Sequence, residues 1–248
     1  MDMALVLIAA FGAGLLNTVA GGGTFLTFPA LVFIGVPPVI ANATSAIAVF
    51  PGYLGGALGF RQELATWDRG QAIRLLITTM IGSVIGSLLL LITPNQTFSA
   101  LVPFLLLAAT LVFLCGDQIR AWARKYSHDV TPYGWQGMLI VSIYGGYFNG
   151  GLGIVLLALF ALWGMQQIHL MNGLKNGLSF ALSAVSVVIF TLGGLIMWKY
   201  AIGMMIAATL GGYAGAPVAR MLPKSVLRIV VATVGFAMSA LFFARLWA

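Results

Sequence analysis

The chain has 248 residues, of which 61% are hydrophobic and only 7% charged, against about 45 to 50% apolar and about 25% charged in an ordinary soluble domain. So few charges cannot cover the surface of a compact body this large, which excludes a soluble protein and predicts an all-α polytopic membrane protein facing hydrocarbon. The net charge of +7 would suggest nucleic acid in a soluble domain, but here the basic residues sit in short breaks between apolar runs and read as signals for membrane insertion.

The first apolar run, 3 to 19, follows Asp2 rather than a basic start, so it reads as a retained segment and not a secretory signal. A Gly-rich break from Asn17 to Gly23 leads into a run of only 13 residues, 24 to 36. Longer runs follow at 42 to 60, 71 to 93 and 98 to 116, the last holding Cys115, a lone cysteine that permits no internal disulfide and reads as a small apolar filler. After a polar linker at 117 to 134 come 135 to 149, a second Gly-rich break from Asn149 to Gly153, and a second short run at 152 to 164. The chain closes with 172 to 197, 199 to 221 and 225 to 247. The six runs of 19 to 26 residues can span about 30 Å of hydrocarbon as helices. The two short runs cannot, which predicts broken or re-entrant hairpins with the segments before them. Non-helical backbone at membrane depth survives only where protein or a water-filled cavity satisfies it, so both breaks mark candidate cavities.

Three matches in order suggest a duplication. Gly14-Leu-Leu-Asn17 corresponds to Gly146-Tyr-Phe-Asn149, Asn42-Ala-Thr-Ser45 to Asn172-Gly-Leu-Lys175, and Gly82, Gly86, Pro94 to Gly211, Gly215, Pro223, with an offset drifting only from 132 to 129. The expected organisation is a membrane repeat at 1 to 116, a cytoplasmic linker at 117 to 134 and a second repeat at 135 to 248, each of about five segments. Nine of the twelve basic residues fall in three clusters: Arg61, Arg69, Arg74; Arg120, Arg124, Lys125; and Arg220, Lys224, Arg228. The segment parity between them puts all three on one face, cytoplasmic by the positive-inside rule, so the repeats are inverted and both termini lie outside. Inverted repeats with discontinuous helices recur in secondary transporters.

The residues for chemistry are few. All five carboxylates, Asp2, Glu63, Asp68, Asp117 and Asp129, fall at the start or in loops, which disfavours an aspartyl protease or a carboxylate proton relay. Two histidines are too few for a His-rich metal centre, and no Gly-x-Ser-x-Gly elbow supports a serine hydrolase, so neither an enzyme nor a metal or other cofactor is expected. Lys175 heads a long apolar segment, where a cation must find a partner, snorkel to the interface or line a pathway; snorkelling and direct anion contact both stay open. Asn17 and Asn149 can cap freed backbone groups at the breaks or bind a substrate. Asn42, Thr44, Ser45, Asn172 and Asn176 cluster at matched segment starts, whose helix dipoles would suit an anion. His169 is a candidate proton carrier.

At these residues the chain resembles the TauE/SafE family of sulfite and organosulfonate exporters, also called the toluene sulfonate uptake permease family. The resemblance covers nearly the whole chain and rests on Asn17 to Thr24, on Gly35-Val-Pro-Pro-Val-Ile-Ala-Asn-Ala-Thr-Ser45, and on the stretch from Gly211 to Arg228. It implies a permease of bacterial plasma membranes that moves small sulfur-containing or carboxylate anions, often outward. The expected function is therefore export of a small anion, with import of such anions or a non-transporting assembly role as alternatives. The expected partners are the anion and the lipid bilayer; nucleic acid is not expected, and a homodimer is left open.

Overall fold

The computed structural model describes residues 2–19, 22–115, 118–119, 121–122, 133–221 and 224–247, and no strand occurs among them. Its helices are α1 (Asp2–Val19), α2 (Thr24–Phe33), α3 (Pro38–Gly59), α4 (Arg61–Ala65), α5 (Arg69–Ile92) and α6 (Asn95–Leu114), then α7 (Trp135–Tyr147), α8 (Leu152–Leu162), α9 (Ile168–Leu192), α10 (Trp198–Met221) and α11 (Lys224–Trp247). The ten expected segments are all present; α4 is an addition. Most of the 117–134 linker, with Arg120, Arg124 and Lys125, lies outside the described residues, as do the side chains of Arg220, Lys224 and Arg228.

Pro38–Gly59, Arg69–Ile92, Asn95–Val112 and Ile168–Leu192 are long and apolar enough to cross a membrane, and α10 and α11 have the length at 24 residues each. The short α2 and α8, with 10 and 11 residues, rise only about 15 Å. Both stop the same way. Gly35 (φ +87°) and Gly164 (φ +79°) take left-handed backbone just past the last turn, and Val36 N–H and Met165 N–H reach back to Leu31 and Phe160, the hydrogen-bond pattern of a glycine C-cap.

α5 is inside-out relative to a soluble helix. On α5 the buried face carries Thr78, Thr79, Gly82, Ser83, Gly86 and Ser87, while Ile73, Ile77, Ile81, Leu88 and Ile92 are exposed. Water would reverse that preference; hydrocarbon produces it, since small and hydroxylated residues then do best where helices meet. Cys115 follows the same logic and is exposed at the end of α6 rather than filling the core.

Two close contacts join the halves. α1 packs on α10 and α5 on α7. A Cβ on Gly14 would lie 2.0 Å from the carbonyl oxygen of Ala208, one on Gly211 2.0 Å from that of Phe11, and one on Gly86 2.1 Å from that of Ile143. These are backbone-to-backbone approaches that only glycine permits. Between them α3 and α9 run antiparallel, with Phe50 stacked on Phe180 at 4.8 Å and Gly56 against Asn176. Position 180 is 130 beyond position 50, the same offset as Asn172 from Asn42. α6 and α11 form the remaining pair, tied by Ser239 Oγ donating to the Pro103 carbonyl at 2.7 Å.

One correction concerns the helix starts. Pro37 and Pro38 begin α3 four residues ahead of Asn42, because proline suits the first helical position, and α9 begins at Ile168 directly after extended Gln167. Asn42 and Asn172 therefore lie a full turn inside their helices, and no helix dipole ends at them.

The glycine contacts make a stability prediction with opposite signs. Gly86→Ala should destabilise the detergent-solubilised protein by about 1–3 kcal/mol, the range for overpacking. Gly55→Ala meets nothing within 4 Å and should stabilise by up to about 1 kcal/mol through helix propensity. Thermal unfolding of both variants checks the pair.

Candidate functional site

The second break lies wholly within the described residues. α7 ends at Tyr147, Asn149 takes left-handed backbone (φ +56°), and Gly151 (φ +70°) precedes α8. The freed polar groups are met by side chains of α2, α3 and α7 itself: Thr24 Oγ1 donates to the Asn149 carbonyl at 3.3 Å, Asn42 Nδ2 to the Tyr147 carbonyl at 2.9 Å, and Tyr144 Oη to the Gly150 carbonyl. Tyr53 Oη reaches Asn149 Oδ1 at 3.5 Å, a long contact. Asn149 is 3% exposed and its Nδ2 has no hydrogen-bond partner. Ser87 Oγ approaches the Gly146 carbonyl from α5, so the break closes over the groove between α3 and α5.

α9 lines the opposite side of that groove. At 100° per residue, Lys175, Ser179, Ser183 and Ser186 fall within an arc of about 80°, with Asn172 inside it and Asn176 at its edge. Ser186 Oγ meets Ser83 Oγ at 3.1 Å and Ser87 Oγ at 2.8 Å, which aims one edge of the stripe at α5, while Asn176 aims the other at Gly56 of α3. Lys175 is 3% exposed and is the one buried charged side chain among the described residues. It makes no hydrogen bond or ion pair there. The hydroxyls of Ser179 and Ser183 are buried and equally unpartnered. An ammonium and two hydroxyls thus share one face of α9 with no acceptor supplied by the described residues, and the Asn149 amide N–H₂ at the second break is likewise unpartnered. Donors without acceptors are costly in a medium that cannot solvate them, and the chemistry complementary to such a set is acceptor-rich and negative.

The other predicted residues have protein partners or lie elsewhere. Asn17 Oδ1 accepts from Gly23 N–H at 2.8 Å, tying the first break to the start of α2. Ser45 Oγ shares a 2.5 Å hydrogen bond with Thr27 Oγ1, and Thr44 Oγ1 accepts from Met197 N–H at 3.1 Å, bracing the loop after α9. Asn172 and Asn176 are half-buried. His169 is exposed on the first turn of α9 beside the Phe60 ring, 6.0 Å between centroids. A cavity of about 300 Å³ near that end is lined by Trp67, Tyr133, Gln166 and Leu170, but Leu170 lies about 140° around α9 from Lys175, so this cavity opens away from the polar stripe.

The family profile described as Sulfite exporter TauE/SafE matches residues 6–242. The chain belongs to the TauE/SafE family. It is 31% identical over 245 residues to a probable membrane transporter protein of Haemophilus influenzae, covering 96% of this chain and 93% of that one. It is 25% identical to the probable membrane transporter protein ORF9 of a Sinorhizobium species (96% and 90% covered) and 24% identical to the probable membrane transporter protein YfcA of Escherichia coli (96% and 88% covered). No solved structure matches it. This TauE/SafE chain is a multi-pass membrane protein of a transporter family.

Sequence reasoning missed Thr24, Thr27, Tyr53, Ser179 and Ser183. The first three act through partners 18 to 125 residues away, which no local pattern reveals. The two serines were detectable as part of a polar stripe at helical spacing with Lys175.

The backbone of the second break carries its own test. Asn149→Gly keeps a residue that tolerates positive φ, whereas Asn149→Ala places a Cβ in the left-handed region at about 1–2 kcal/mol. The alanine variant should unfold at the lower temperature of the two in detergent.

Proposed function

We propose that this TauE/SafE protein is a secondary transporter exporting a small anion, such as sulfite, an organosulfonate or a related carboxylate, across the plasma membrane. The observation that carries the reading is Lys175: a cation 3% exposed, unpaired among the described residues, with two further unpartnered hydroxyls, Ser179 and Ser183, on its face of α9. An isolated buried charge is retained only where something offsets it. A transported anion does so, and the family's description supports a sulfur oxyanion as cargo.

On this reading the two halves are inverted repeats, the Arg61, Arg69 and Arg74 side is cytoplasmic, and both termini are outside. Lys175 supplies the charge and Asn149 Nδ2 a further donor, while Asn172 and Asn176 border the groove. Export needs no coupling carboxylate, because an interior-negative potential drives a negative charge outward with a gain of about 2.3 kcal/mol per 100 mV.

Counterflow in proteoliposomes with sulfite, methanesulfonate and small carboxylates tests the function. Lys175→Gln should weaken anion affinity about tenfold or more, since a hydrogen bond to a charged group contributes roughly 1.5 to 3 kcal/mol and 1.4 kcal/mol is a factor of ten. Lys175→Arg should restore it only in part, the planar guanidinium being larger. Unchanged affinity in a correctly inserted Lys175→Gln protein would remove the lysine from recognition.

Orientation has an independent test. In a Cys115→Ala background, single cysteines introduced near positions 69 and 124 should be labelled by impermeant reagents only from the cytoplasmic side. Labelling only from outside would reverse the topology.

A further inference from the structure

Hydroxyls on transmembrane helices have a default partner. Thr78, Thr79, Thr110, Ser142, Thr191 and Thr209 each donate to the carbonyl four residues back, at 2.6 to 2.8 Å, the bond that every Ser or Thr in a helix can make by choice of rotamer. Ser179 and Ser183 have the Lys175 and Ser179 carbonyls at that same spacing and do not use them. Both are buried, at 1% and 0% exposure, so water does not explain the choice. They lie one and two turns beyond Lys175 on its face of α9, about 6 and 12 Å along the axis. The stripe ends at Ser186, whose hydroxyl is engaged by Ser83 and Ser87.

We infer that Ser179 and Ser183 are anion-contacting residues, two hydroxyl stations that carry a transported oxyanion along α9 past Lys175. The inference rests on the anion-export reading and deepens it. A sulfonate or sulfite offers three oxygen acceptors, enough to keep one on the ammonium while another meets the Ser179 hydroxyl. The corresponding positions of the other half argue the same way. With the offset of 130, Lys175 answers to Ser45, Ser179 to Val49 and Ser183 to Tyr53. There the hydroxyl of Ser45 is tied to Thr27, Val49 is apolar, and Tyr53 packs into the core with Ala13 and Val49. Only one of the two stripes keeps a row of free donors.

Stability and transport should move in opposite directions. Removing an unpartnered buried hydroxyl leaves no partner unsatisfied, so Ser179→Ala and Ser183→Ala should unfold in detergent at the same or a higher temperature than the parent. Each should nevertheless raise the counterflow KM for methanesulfonate about threefold or more. Ser239→Ala, which breaks the hydrogen bond to the Pro103 carbonyl between α6 and α11, should instead lower stability and leave KM unchanged. As a second readout, the Ser183→Cys, Cys115→Ala protein should react with an anionic methanethiosulfonate at least tenfold faster than with its cationic analogue, and methanesulfonate should slow that reaction. Serine-to-alanine variants with parental KM, or a Ser183→Cys protein that reacts with neither reagent, would overturn the hydroxyl track. If Lys175→Gln still weakens affinity in that case, anion export stands and only the track falls. If no anion in the panel is carried and the Ser183→Cys protein shows no charge preference, the export reading fails and takes the track with it.

Discussion

A chain surrounded by hydrocarbon has no water with which to satisfy a buried polar group, and most of this structure follows from that constraint. It explains why α5 turns its threonines and serines inward and its isoleucines outward, and why many helical hydroxyls fold back on their own carbonyls. It also explains the cross-bracing of the second break. The carbonyls of Tyr147, Asn149 and Gly150, released where α7 ends, are each met by a donor: Asn42, Thr24 and Tyr144. Interrupting a helix inside the bundle is tolerable because α2, α3 and α7 itself carry the missing donors. Against that completeness, the unpartnered atoms at Asn149, Ser179 and Ser183 and the lone ammonium of Lys175 stand out.

The groove beside α9 depends on how the halves are joined. α1 belongs to the first half in sequence but packs on α10, and α7 belongs to the second but packs on α5. Glycines at Gly14, Gly86 and Gly211 bring these backbones into direct contact, and the dispersion gained over such close surfaces is what holds helices together when lipid is as apolar as leucine. α3 and α9 are thereby held face to face at Phe50 and Phe180. Neither half encloses the polar stripe alone: α9 supplies the donors, and α3 and α5 supply the opposing walls.

Much of this was legible in the sequence because hydrocarbon imposes a simple code. Long apolar runs became long helices, and Gly-rich breaks before short runs became α1–α2 and α7–α8. Helix starts were misread by four residues, since an apolar-run criterion overlooks Pro37 and Pro38 as a start signal and treats Asn42 and Asn172 as boundaries. Lys175 was legible because a cation in an apolar run has few explanations. Its companions were harder to see. Serine is ordinary in membrane helices, and only the coordinates reveal that Ser179 and Ser183 decline the carbonyl that their counterparts accept. Conversely Asn42, Thr44 and Ser45 look like ligand donors in sequence, but their polar atoms bond to Tyr147, Met197 and Thr27 from 18 to 153 residues away.

Where the charge sits constrains how the membrane potential can act in the proposed export cycle. If Lys175 travelled with the anion, the moving unit would be neutral and the potential would do no work on it. α9 is poorly suited to such travel: Ser186 anchors it to α5 through Ser83 and Ser87, Asn176 packs on Gly56, and Phe180 stacks on Phe50 of α3. The ammonium is therefore a fixed charge on a braced helix, and access must alternate around it, as when one bundle rocks against another about a fixed midplane site. Under that geometry the charge crossing the membrane is the anion's alone, and the whole potential drives it outward. The described carboxylates reinforce the asymmetry. Asp2 and Asp68 are exposed, and Glu63 is half-buried on the five-residue α4, so none of them neutralises Lys175, and in the proposed cycle its positive field is left for the anion.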